Sequence, residues 1–76
     1  MWHKTTRGCA SFFLPLGPWY CQVYQIREEL WRWEVLHWSD QTGRFALKQL
    51  GTQPTLSQAF AAAEGYVAAS RKATPS

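Results

Sequence analysis

The stretch from Trp31 to Leu50 leaves this chain few ways to fold. Trp31, Trp33, Val35 and His37 occupy one parity, and Arg32, Glu34, Leu36 and Trp38 the other. Aromatic and β-branched residues repeating with a period of two describe a strand. Ser39-Asp40-Gln41-Thr42-Gly43 follows as a polar turn closed by glycine. The chain then resumes as Arg44-Phe45-Ala46-Leu47-Lys48-Gln49-Leu50. Two such runs around a short polar loop read as an antiparallel hairpin. With Trp38 set opposite Arg44, Leu36 meets Ala46 and Glu34 meets Lys48. On the other side His37 meets Phe45 and Val35 meets Leu47. This register places a Trp–Arg cation–π pair and an opposite-charge pair on one face, and an apolar cluster on the other.

The helix is signalled just downstream. Thr55 precedes Leu56 and can act as N-cap, and Gln58 stands three residues on, as a capping box requires. Leu56, Ala59, Phe60, Ala63, Val67 and Ser70 then recur at helical spacing, a narrow stripe rich in small side chains. Gly65 costs up to about 1 kcal/mol relative to alanine in this position. Arg71 and Lys72 suit the negative end of the helix dipole. The spacing predicts a helix from Leu56 to Ser70 that lies close against the sheet.

Trp19 to Arg27, WYCQVYQIR, reads as the first strand. Its Val23, Ile26 and Leu30 also fit a helical stripe, but a helix there would have to stop without glycine or proline before Trp31. A tight turn at Glu28-Glu29 sends Tyr20, Tyr24 and Ile26 to the helix-covered face with Trp31, Trp33 and Val35. Trp38 then shares the opposite face with Leu36, Arg32, Val23, Cys21 and Trp19. That second face is too apolar to stand bare in water. Two covers are open to it: the chain's own ASFFLPLGP, residues 10–18, folded across it or added as a short edge strand, or a partner molecule, a second copy included.

A chain of 76 residues buries a small fraction of its surface, so its core is marginal unless it is dense or stapled. With 46% hydrophobic and 16% aromatic residues it is too apolar to be disordered. It is expected to form one domain over residues 1–76, with 1–8 a flexible arm and 73–76 a frayed tail. The net charge of +3 is spread along the chain, without a block of like charges. Cys9 and Cys21 are too few for a disulfide framework and read as buried thiols in a reducing cytoplasm. Met1 to Leu16 is faintly like a signal peptide, but Pro15 breaks the apolar part and no small-x-small site follows. No run reaches the roughly 18 apolar residues of a membrane span.

Catalytic and metal constellations are weak. His3, Cys9, Cys21 and His37 are the right inventory for zinc at the wrong spacing, so no metal or other cofactor is expected. His37, Ser39 and Asp40 hold the letters of a hydrolytic triad, yet neighbours in one strand and turn cannot converge. No glycine-rich phosphate loop is present, and no small-molecule substrate is inferred. The chain is not expected to be an enzyme.

The stretch WRWEVLHWSDQTGRFALKQLGTQPTLSQAFAAAEGYV, Trp31 to Val67, resembles many short bacterial and phage proteins built from an aromatic hairpin and an alanine-rich helix. The likeness covers about half the chain and is one of fold. Proteins of this style are often carried by mobile elements, among them non-enzymatic inhibitors of host defence such as anti-CRISPR proteins. It implies a binder rather than a catalyst and transfers no site residue.

The expectation is therefore an α+β domain: a three-stranded antiparallel sheet, with room for a fourth short N-terminal strand, covered on one face by the C-terminal helix. The expected function is a cytoplasmic, non-catalytic protein-binding module, of the phage or mobile-element inhibitor kind. It would act by steric occlusion through Trp19, Arg32, Leu36, Trp38, Arg44 and Lys48, against a host complex or a second copy. The alternative is a DNA- or RNA-binding protein using Lys4, Arg7, Arg32, Trp38, Arg44 and Lys48 to neutralise phosphates and stack bases.

Overall fold

The structure is a computed structural model that describes residues 2–4 and 11–73. Five strands form one antiparallel sheet in sequential order: β1 (His3–Lys4), β2 (Ser11–Leu16), β3 (Trp19–Arg27), β4 (Leu30–Ser39) and β5 (Arg44–Gln53). Helix α1 (Leu56–Ala73) follows and packs on β3, β4 and β5. The α+β class, the antiparallel sheet and the C-terminal helix are as the sequence predicts; three or four strands is a miscount. The N-terminal stretch does not fold across the sheet. It widens it, with Phe12 opposite Val23 and Leu14 opposite Cys21. β1 pairs only with Phe12 and Phe13, so the outer side of β2 is an open edge at Pro15, where the missing N–H interrupts no ladder. Of the expected arm, His3 and Lys4 are sheet; residues 1 and 5–8, like 74–76 of the expected tail, lie outside the described residues.

The three hairpins from β2 to β5 are each closed by a residue with positive φ. Gly17 (63°) and Pro18 make the β2–β3 corner, glycine taking the left-handed φ and proline its fixed negative one. Gly43 (68°) ends the β4–β5 loop, and its N–H donates to the Ser39 carbonyl at 2.8 Å. Between β3 and β4 the same task falls to Glu29 at φ 59°, a conformation that costs a residue with a Cβ about 1 kcal/mol or more. Glu29→Asn, which tolerates that region, is expected to raise stability by about 0.5–1 kcal/mol, read as a later midpoint in urea.

The core lies between α1 and one face of the sheet. Leu14, Cys21, Val23, Trp33 and Val35 from the strands meet Ala59, Ala63 and Val67 from the helix. The alanines stand four residues apart and let α1 approach closely, which is why their sheet partners Cys21, Val23 and Val35 are small. The Thr55 Oγ1 accepts from the Gln58 N–H at 3.2 Å and starts the helix where the capping pattern predicts. Larger rings fill the margins. Trp2 stacks on Phe60 at 4.4 Å and donates from Nε1 to Glu64, and Phe12 sits edge-on to Phe60.

Two irregularities decide which residues face α1. Ile26 is an extra residue between the pairs Gln25–Trp31 and Arg27–Leu30, and it shifts the rest of β3 by one position. Trp19, Cys21 and Val23 therefore point toward the helix, while Tyr20 and Tyr24 point away, the reverse of the sequence reading. The hairpin register also differs from the expected one. Trp38 stands opposite Phe45, Ser39 opposite Arg44, and Leu36 opposite Leu47. Lys48 is then left over as a bulge, after which Gln49 faces Val35 and Leu50 faces Glu34.

Candidate functional site

The face turned away from α1 carries no element of the described chain. By strand alternation it displays His3, Phe13 and Pro15; Tyr20, Gln22, Tyr24 and, past the bulge, Arg27; Leu30, Arg32, Glu34, Leu36 and Trp38; and Phe45, Leu47, Leu50 and Thr52. Its rings form a continuous row. His3 stacks on Phe13 at 5.2 Å, Phe13 on Tyr20 at 6.0 Å, Tyr20 reaches Phe45 at 5.6 Å, and Phe45 meets Trp38 edge-on at 5.3 Å. Tyr20 and Phe45 belong to strands that are not neighbours; their rings meet over Leu36 on the strand between.

One half of the face is apolar and bare. Trp38 is 40% exposed, Phe45 41%, Leu47 49% and Leu50 42%. The indole of Trp38 is held in place, because its Nε1 donates to Asp40 Oδ1 at 3.0 Å and its backbone N–H donates to the Pro18 carbonyl at 2.7 Å. A fixed, half-exposed aromatic loses little conformational entropy when it is covered, which is what a binding anchor needs.

The other half is polar and centred on Glu34. Glu34 accepts from Gln22 Nε2 at Oε1 and from the Tyr24 hydroxyl at Oε2, 3.2 Å away, and Arg32 Nε lies 3.0 Å from that same Oε2. Arg32 Nε nevertheless makes no well-aimed hydrogen bond, so this contact acts through charge rather than direction. Burial, and then the Glu34 carboxylate, push the Tyr24 hydroxyl above its ordinary pKa of 10.0, while Arg32 pulls it slightly back. The pair leaves the middle of this face without an uncompensated charge.

Of the expected contact residues, Arg32, Leu36 and Trp38 do share this face. Trp19 does not: it lies on the helix side, edge-on to His37 at 4.5 Å and to Tyr66. Arg44 pairs with Ser39 and so projects to the side opposite Trp38, and Lys48 is the unpaired bulge residue. Lys4 pairs with Phe12 on the helix side, and Arg7 lies outside the described residues. The cations expected beside Trp38 are thus dispersed. Tyr20, Phe13, Phe45, Leu47 and Leu50 complete the face instead. Their signal was present in the sequence: an alanine stripe demands small partners, so Cys21 and Val23 belong beneath it, and tyrosine hydroxyls belong toward water.

A second concavity, of about 690 Å³, opens at the end of the sheet between the β2–β3 corner, Trp19, His37 and Arg71. Among the described residues there is no cluster of three or more His, Cys, Asp or Glu able to hold a metal ion, and no helix long and apolar enough to cross a membrane. Comparison with known protein families, curated proteins and solved structures found no match.

Proposed function

We propose that the protein is a non-catalytic protein-interaction module whose working surface is the helix-free face. The observation that carries this reading is the aromatic row ending in Phe45 and a hydrogen-bonded Trp38, flanked by exposed Leu47 and Leu50. Exposed apolar side chains gathered on one face, rather than scattered, mark a contact surface. Anchoring would come from the rings, and the mechanism would be occlusion of whatever surface is covered, as an inhibitor or adaptor works. The buried free thiol of Cys21 suits a reducing, cytoplasmic setting. Nucleic acid is the less favoured partner, because Glu34 sits in the middle of the face and Arg44 points off it.

Affinity capture from cell extract, with and without nuclease, tests this. A protein partner is expected to survive nuclease and high salt, to be lost with Phe45→Asp, and to be kept with Ala61→Glu on the exposed side of α1. Binding that vanishes with nuclease and falls steeply as salt rises would replace this reading with the phosphate-binding one.

A further inference from the structure

Resting on the docking face proposed above, we infer that its occupant is a second copy of this chain, packed face to face as a two-layer sandwich about a two-fold axis. The first argument is stability. The core is three valines, two alanines, a cysteine, a leucine and a tryptophan. A core this thin in a chain this small leaves little stability in hand, and a disulfide, a metal or oligomerisation is the usual reinforcement. Among the described residues Cys21 is a free, buried thiol and no disulfide is present. No metal cluster is found among the described residues.

The second argument is area. Four strands about 4.8 Å apart and six to ten residues long give a face of roughly 500 Å² in projection. With its side-chain relief this approaches the ~800 Å² per partner of a standard interface. The third argument is charge. The inner part of the face sets Arg32 against Glu34, and the other cation on it, Arg27 opposite Leu30, is exposed at the β3–β4 end, so pairing the face with itself strands no buried ion. A two-fold axis brings the same apolar half to its own copy, and Arg44 and Arg71 carry positive charge elsewhere. Sheets packed this way lie about 10 Å apart with inner side chains interdigitated, which would seal Phe45, Leu47 and Trp38 from water.

Sedimentation equilibrium of the full chain over a wide concentration range tests the pairing. The expected mass is twice that of one chain. Phe45→Asp on β5 and Tyr20→Lys on β3 should each weaken pairing by about 100-fold, since each buries two like charges at a two-fold interface. Ala61→Glu should leave it unchanged. Circular dichroism checks that each variant keeps α1. Should either face variant unfold, iodide quenching of the wild type against Trp38→Phe gives a second reading, with Trp38 shielded at high concentration and open after dilution. A dimer that survives Tyr20→Lys is an edge pairing along β5 and overturns the inference. So does Trp38 equally quenched at both concentrations. A single-chain mass throughout also overturns it; if capture of another protein is then still lost with Phe45→Asp, the docking face stands without self-pairing, and if it is not, both fall.

Discussion

Gly51→Val is expected to cost about 3 kcal/mol, and Gly51→Ala about 2 kcal/mol, in urea or thermal unfolding. Gly51 lies on β5 opposite Trp33, and the indole rests directly on its backbone. A Cβ added there would stand 2.8 Å from three atoms of the ring. The ring has nowhere to go, because Trp33 is part of the buried core under α1. Its Nε1 has no protein partner, so packing rather than a hydrogen bond holds it. The opposing effect is known: replacing a strand glycine by alanine usually stabilises by up to about 1 kcal/mol through the unfolded chain. The steric term must exceed that. A double-mutant cycle separates them. In a Trp33→Leu background, itself destabilised, Gly51→Ala should lose most of its penalty and couple favourably by at least about 1 kcal/mol. A stabilising Gly51→Ala in the wild type would mean that the indole does not lie on this glycine.

The helix and the hairpin were legible because their signals are local. Thr55 and Gln58 fix where α1 begins, and the alternation from Trp31 to Trp38 fixes β4. Trp33 toward the helix and Trp38 away from it follow from parity alone. What parity cannot supply is an inserted residue. Ile26 and Lys48 each add one position to a strand, and each addition exchanges the two faces for every residue beyond it. WYCQVYQIR is apolar at both parities, so nothing in its periodicity objects to the exchange.

The candidate face suffered most from this. Arg44 and Trp19 leave it, whereas Tyr20, Phe45, Leu47 and Leu50 enter. The change converts an expected cationic and aromatic surface into an aromatic and aliphatic one. That shift in chemistry, more than the number of strands, is why a protein partner is favoured over a phosphate backbone. β1 was illegible for a different reason. A two-residue strand has no period to read, and Trp2 acquires its place only by stacking on Phe60, 58 positions along the chain.

Stability is expected to fall by about 2 kcal/mol between pH 9 and pH 11, and Cys21→Ala should remove most of that fall. Cys21 is buried beneath α1 opposite Leu14 and Val35. Burial, and secondarily the Glu64 carboxylate, raise its thiol from 9.0 to about 11. The folded chain therefore holds the proton more tightly than the unfolded chain does. Below pH 9 both states keep it and the contribution is whole. Through the interval the unfolded chain sheds the proton first, so each increment of pH favours unfolding. Once pH passes the folded value, both states are thiolates and the loss is complete. Tyr24 is raised as well and acts with the same sign, so Tyr24→Phe is the control that isolates the cysteine. Cys21→Ala will start lower, having lost a buried sulfur, yet its stability should run nearly flat where the wild type declines. Denaturant midpoints at a series of pH values read the difference, and parallel curves for the two proteins would show that the thiol is not sealed where the packing of Ala59 and Ala63 places it.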